Sequence, residues 1–490
     1  MTRTAAWRPL LLVSGAVGLL LLAFAGRYGY HRDELYFLVA GEHPAFGYVD
    51  QPPLVPLLAQ LMHTLGGGSL VVLRAPSAIA AALVVLLTGL IAHELGATRR
   101  AQVLAAGCMG AGAVTYAVGH LMSTSTFDLL AWTLLSYLLV RAVRDDGRIW
   151  LWAGLVAGIG MQVKILMAFF LVGLAAGLLI SGPRAVLRSR WLWGGVAIAV
   201  AIAAPHAIWQ AVNGWPQLDL AEAIADGGSA SSEPRWAYVP FQLVLVSPLL
   251  FPIWMAGLWQ LFRSEALRPW RFFAVAYVVL VVVFVVTGGK PYYQAGFYPV
   301  LLAAGAAPTL AWVARRRSRL RGAVVAGALA AAVASSAFLF LPIVPTAQLQ
   351  GSPIVEVNSD AGETVGWPRF ADSVADVVDA NTEGGVQPVV LTGNYGEAGA
   401  VLRHRPDVAE VHSGHNSFWT WGPPPADTEV VVAVGIRRTQ LERWFGDVRR
   451  AGTIDNGLGL DNDEQGTPIW VCTSPLRSWP DLWPEVRHLN

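Results

Sequence analysis

The side chains able to do chemistry in this 490-residue chain are few, and the densest group lies in RYGYHRDELYFLVAGEHPAFGYVDQPPLVP, residues 27–56. This stretch holds the adjacent acids Asp33 and Glu34, His31 just ahead of them, and Asp50 directly before Gln51-Pro52-Pro53. Further along come Asp128 in LMSTSTFDLLAWTLL, Lys164 in GIGMQVKILMAFF, and Lys290 in TGGKPYYQAGFYP, followed by Tyr292 and Tyr293. All lie in or beside apolar runs, where a charged group is costly to desolvate, so each asks for a chemical reason. A shielded carboxylate within reach of a hydroxyl is a general base. Ammonium groups nearby stabilise an anionic leaving group.

Each residue also has a plainer reading. Asp33 could cap a short amphipathic helix over 33–41 lying along the membrane interface, with Glu34 complementing its dipole. Asp50 could cap the helix after the paired prolines, and Asp128 the helix after Ser123–Thr126. Lys164 could snorkel to headgroups, and Tyr292 and Tyr293 could be interfacial belt aromatics. His31 and His43 flank the acids without regular metal-ligand spacing. A divalent ion held with carboxylate help stays open as a cofactor.

The elements that must position these residues are membrane helices. Only 14% of residues are charged and 54% are hydrophobic, whereas soluble domains carry about 25% charged residues. Mean hydropathy is +0.49. A net charge of +1 argues against nucleic acid as a partner. Cys108 and Cys472 suggest neither a disulfide nor a cysteine metal site. Apolar runs at 9–26, 70–92, 101–121, 126–143, 149–163, 165–181, 191–211, 238–262, 271–287, 295–313 and 322–343 predict about eleven crossings. The first reads as a retained helix, since Arg27-Tyr28 follows it in place of a cleavage motif.

Connections carrying Arg3/Arg8, Arg99-Arg100, Arg141/Arg144/Arg148, Arg184/Arg188/Arg190, Arg263/Arg268/Arg271 and Arg315–Arg317/Arg319/Arg321 alternate with an acidic or neutral set. The positive-inside rule places the first set, and the N-terminus, in the cytoplasm. The loop 27–69 and the turns near Ser123 and Lys290 then face outward from a plasma (inner) membrane. Residues 149–181 must cross twice, so a tight turn is expected near Lys164.

Composition shifts after the last run, predicting a transmembrane domain over 1–343 and an extracytoplasmic soluble α/β domain over 344–490. In the latter, 388–392, 428–435 and 469–473 read as strands, and 395–403 and 438–445 as helices. No Gly-x-Gly-x-x-Gly follows a strand, so a nucleotide is not the expected ligand.

The motifs have a known counterpart. Arg32-Asp33-Glu34-Leu35-Tyr36, then Tyr48–Leu54, then Leu73-Arg74-Ala75-Pro76-Ser77 resemble family 39-type glycosyltransferases. These are the bacterial relatives of dolichyl-phosphate-mannose–protein mannosyltransferases and of the lipid A aminoarabinose transferase. The resemblance continues through Phe127-Asp128-Leu129, Gly158–Lys164, Gly289–Tyr293 and Phe297-Tyr298-Pro299, and so covers roughly the first 313 residues.

It implies a GT-C fold, a polyprenyl-phosphate sugar as donor, and a single inverting displacement. Asp33, paired with Glu34, would act on the acceptor. Lys164 and Lys290 would hold the donor phosphate with Tyr292 or Tyr293, while Asp50, Asp128 and His31 support the site. The acceptor would be an extracytoplasmic protein, glycan or lipid. One departure stands out: relatives often carry Glu-Lys where this chain has Asp50-Gln51. The rival reading is a lipid-linked sugar flippase or transporter, although no internal repeat supports it. Trp419-Thr420-Trp421 and His412–His415 are candidate glycan contacts, with loop packing as the alternative.

Overall fold

The computed structural model describes residues 4–145, 147–227, 234–315, 319–382 and 387–489. Arg3, Arg316 and Arg317 of the basic connections lie outside them. Every one of the apolar runs is helical, because an apolar segment in lipid must satisfy its own backbone groups. Seven helices are long and apolar enough to cross a membrane: Trp7–Phe24, Leu70–Glu94, Thr124–Asp145, Arg190–Val212, Glu265–Thr287, Pro291–Ala314 and Arg319–Phe340. Counting the bent pairs Arg99–Ala111 with Ala113–Gly119, and Arg235–Val246 with Pro248–Arg263, as one span each raises the number to nine.

The remaining two expected crossings are the short helices Ile149–Met161 and Leu166–Ser181, of 13 and 16 residues. At about 1.5 Å per residue each is shorter than a hydrocarbon core of about 30 Å. They meet in a tight turn over 162–165, as the charge pattern requires, and that turn carries Lys164. At the basic end of the bundle, Glu94 pairs with Arg144 at 2.8 Å and Arg141 at 3.7 Å, joining two spans.

The C-terminal region holds a five-stranded mixed sheet. Its strands are β1 (Val389–Thr392), β2 (Val411–Ser413), β3 (Val430–Val434), β4 (Phe445–Thr453) and β5 (Pro468–Pro475), in the order β2-β1-β3-β5-β4. The β1 pairings with β2 and β3 are parallel, and the two β5 pairings are antiparallel. The helix expected over 438–445 stops at Leu441, and Phe445 instead opens β4. This edge strand is rich in charge, as exposed edges are, and so lacks the apolar alternation that marks a strand. The amphipathic helix Trp367–Ala380 was also absent from the expected elements.

One apolar core joins the first loop to this region: Leu35, Tyr36, Leu38 and Tyr48 are buried with Trp367, Val374, Val390 and Val432. The helix Arg32–Glu42, expected to lie on the interface as an amphipathic helix, is therefore enclosed by protein. Residues 34–41 are all buried, between the helices Leu54–Gly66 and Tyr395–His404. Further bonds join the first loop to the C-terminal region. The Gly29 amide donates to the Thr364 carbonyl at 2.8 Å, Tyr28 Oη to the Val344 carbonyl at 2.6 Å, and the Val49 amide to Ser417 Oγ at 2.9 Å.

Candidate active site

The site begins with how the helix Arg32–Glu42 starts. Its cap is His31, whose Nδ1 accepts the Asp33 amide at 3.2 Å, while Glu34 accepts the His31 amide at 2.9 Å. This reciprocal pair is a capping box, so Asp33 is not the cap and its carboxylate is left to bond elsewhere. The far side of the His31 ring faces Asp360, with Nε2 at 3.8 Å from Oδ1.

Glu34, expected beside Asp33 at the catalytic centre, has different surroundings from its neighbour. It is fully buried, and its oxygens accept from Arg74 Nε at 2.8 Å, Arg74 Nη2 at 2.7 Å and the Met122 amide at 2.8 Å. Arg74, 1% exposed, also donates to the carbonyls of Ala25 and Gly29. Burial alone would raise the Glu34 carboxyl, but Arg74 and the two amides overcome it and hold it below the usual range. Glu34 and Arg74 thus form a structural pair that ties the first loop to the span Leu70–Glu94.

Asp33 and Asp50 are half-buried. Asp33 Oδ1 accepts from Tyr395 Oη at 2.9 Å, and Asp50 Oδ1 accepts from Tyr36 Oη at 2.6 Å. The two phenol rings stack, with centroids 4.7 Å apart and planes at 25°. Asp50 does not cap the following helix, which begins after Pro53 without a side-chain cap. Burial, only partly offset by the Tyr36 bond, raises Asp50 to about 7.

Lys164 lies in the turn between the short helices, where Nζ donates to Ser125 Oγ at 2.9 Å. It sits 5.1 Å from the Tyr292 ring centre and 5.9 Å from that of Tyr293, which fits a cation over two aromatic faces. Asp128, one turn into its helix and so no cap, accepts from Trp132 Nε1 at 2.9 Å. The charges of Asp128 and Asp33 both act on Lys164. Lys290 immediately precedes the turn Pro291–Phe297 that carries both tyrosines. Burial first, and then the Lys164 ammonium, lower Lys290 to about 8, while Asp33 pulls the other way. Asp33 also acts electrostatically on Tyr292.

Lys164, Tyr292 and Tyr293 are therefore in contact, Lys290 adjoins them in the chain, and Asp33 lies within electrostatic reach of both lysines, as Asp128 does of Lys164. Among the described residues no three His, Cys, Asp or Glu side chains converge to hold a metal ion. Trp419 and Trp421 pack. Trp419 Nε1 donates to the Trp483 carbonyl at 2.9 Å, and Trp421 stacks on His43 at 4.4 Å. Sequence reasoning missed Tyr395, Tyr36, Ser125 and Arg74 as functional neighbours. Arg74 and Tyr36 stand in the matching motifs, whereas nothing in the pattern around Tyr395 marks it.

Residues 50–209 match the family model described as dolichyl-phosphate-mannose-protein mannosyltransferase. No curated protein sequence matches the chain significantly. Among solved structures, the chain is similar to ArnT from Cupriavidus metallidurans in the apo state, with a TM-score of 0.62, 13% identity, and 94% of this chain and 97% of that one covered. ArnT from the same organism bound to undecaprenyl phosphate gives 0.59, 14% identity and the same coverage. The arabinofuranosyltransferase AftD from Mycobacteria gives 0.53 at 14% identity, covering 97% of this chain but 41% of that one. The molecule is a multi-pass membrane protein with the fold of GT-C glycosyltransferases.

Proposed function

We propose that this chain, with its GT-C fold, transfers a sugar from a polyprenyl-phosphate donor to an acceptor hydroxyl outside the membrane. Asp33 is the general base, and Lys164 and Lys290, with Tyr292 and Tyr293, hold the donor phosphate. The acceptor oxygen forms the new bond to the anomeric carbon and loses its proton to Asp33. The bond from that carbon to the phosphate oxygen breaks, and the phosphate leaves with the electron pair, its charge met by the two ammonium groups. A single displacement of this kind inverts the anomeric centre.

The observation that carries the reading is the placement of Lys164 Nζ over the rings of Tyr292 and Tyr293, which follow Lys290 in one turn, with Asp33 within electrostatic reach of both lysines. One base and two cations share a neighbourhood beside apolar helices. The match of residues 50–209 to a mannosyltransferase family model supports the reaction class. The ArnT structure that binds undecaprenyl phosphate supports the donor class. The alternation of basic connections supports an outward-facing site, a cytoplasmic N-terminus and an inner-membrane location. We divide the chain into a membrane domain, 1–343, and an extracytoplasmic domain, 344–490, that closes over the first loop.

Mass spectrometry of lipid-linked sugars in cells lacking the protein tests this. One polyprenyl-phosphate sugar should accumulate, and the purified chain should convert that lipid to free polyprenyl phosphate. Movement of the intact lipid across a bilayer with no loss of its sugar would establish the flippase reading instead.

A further inference from the structure

The C-terminal region does more than cover the first loop, because it supplies the only hydrogen bond that the Asp33 side chain receives among the described residues. Two glycines make this possible. The helix Tyr395–His404 lies with its backbone against the helix Arg32–Glu42. A Cβ at Gly396 would meet Arg32 Cβ at 2.7 Å, and one at Gly399 would meet Leu35 Cβ at 2.9 Å. Any larger residue at these positions would lift the helix away, as at other small-residue contacts. Tyr395, the first residue of this helix, is therefore delivered to Asp33.

The ring of Tyr395 is held on both sides. It stacks on Tyr36 at 4.7 Å and on His415 at 4.6 Å, and His415 stacks in turn on His488 at 4.9 Å. The Tyr395 amide donates to His415 Nδ1 at 3.2 Å, and the Arg32 guanidinium lies 5.3 Å from the ring centre. Arg32 is itself anchored 3.4 Å from both Glu363 and Asp463. Burial, and then the Asp33 charge, keep the Tyr395 phenol well above its ordinary value, so the hydroxyl remains a donor. A stack of four rings, running from the first loop to the C-terminal end of the chain, thus fixes one phenol against one carboxylate oxygen.

We infer that Tyr395 is the positioning residue of the base. Its hydroxyl holds Asp33 Oδ1, turning Oδ2 toward the acceptor proton, and the closed C-terminal region is what completes the catalytic carboxylate. This rests on the reading of Asp33 as base. Tyr395 does not touch the reacting atoms, so its removal slows the chemical step and leaves donor binding alone.

A neutral donor on a carboxylate also favours its anionic form. The other ionisable groups acting on Asp33 are Arg32, His31, Asp50, Lys164, Lys290 and Tyr292. Tyr395→Phe leaves all of these side chains in place, and of them Tyr395 acts only on Arg32 and Tyr292, so the pH profile reads chiefly the loss of its hydroxyl from Asp33.

The test compares the intact protein with Tyr395→Phe, which keeps the stacked ring, and with 3-fluorotyrosine at position 395, a stronger donor of nearly the same shape. In Tyr395→Phe, kcat should fall about tenfold with donor KM unchanged. The acid side of its pH–rate profile should move up by about one unit, and the fluorinated protein should move the opposite way. An unchanged profile in both, with Asp33→Asn inactive, overturns the inference and leaves the base in place. Turnover retained by Asp33→Asn overturns both.

Discussion

The two halves of the site are built in opposite ways. The carboxylate half is over-determined: a capping box orients the helix, Glu34 and Arg74 tie it to a span, and a ring stack from the C-terminal region pins Tyr395 on Asp33. Around the two lysines, by contrast, the surroundings are softer, with a serine hydroxyl, two aromatic faces and a Gly-Gly-Lys-Pro turn. A base works only within hydrogen-bond reach of its proton, so it rewards rigidity. A phosphate is bound mainly by charge, which tolerates small displacements. The contrast suggests that the first half sets the rate and the second sets donor affinity.

The strongest way to break that comparison is at Asp33. Asp33→Asn should lower kcat by about 10²–10⁴-fold, the usual contribution of a general base, with folding intact in a thermal melt. Appreciable activity would end the base assignment.

Glu34→Gln should do the reverse. It leaves a buried guanidinium uncompensated, which costs about 3–5 kcal/mol of stability, so the loss should be seen in detergent unfolding before it is seen per folded molecule in kcat. A stable but inactive Glu34→Gln protein would return Glu34 to the chemistry.

At the cationic half, Lys164→Ala and Lys290→Ala should each raise donor KM about tenfold to a hundredfold, the worth of a hydrogen bond to a charged group, with acceptor KM unaffected. Equal donor KM in both variants and the parent protein would remove the lysines from phosphate binding.

The smallest expected effect is in pH. Lys290 is lowered to about 8, so its ammonium is present below that pH and is lost as pH rises through it. Donor KM should therefore climb above about pH 8, and Lys290→Arg, which stays protonated, should flatten the climb. A climb of the same size in the arginine variant would assign it to another group.

Much of this was legible in the chain. Hydropathy located each described helix long and apolar enough to cross a membrane, because in lipid a helix must be apolar along its whole length. Charge alternation anticipated the turn at Lys164. The count of crossings was less secure, since an apolar run of 149–163 looks alike whether it spans or only dips, and the helix there ends at Met161. The roles of two adjacent acids were not separable either. Asp33 and Glu34 differ by about 100° around a helix, a difference that acquires meaning only once Arg74 lies on one side and Tyr395 on the other.

What the sequence by itself determined is therefore the membrane architecture and the inventory of reactive groups, since both follow from local composition. What only the tertiary structure decided is which groups meet. Tyr395 stands 362 positions from Asp33 along the chain, and no local pattern encodes a contact made by two glycines bringing distant helices together. Charge and apolarity are properties of a residue and its neighbours in sequence, whereas a hydrogen bond between far-separated side chains belongs to the packed molecule.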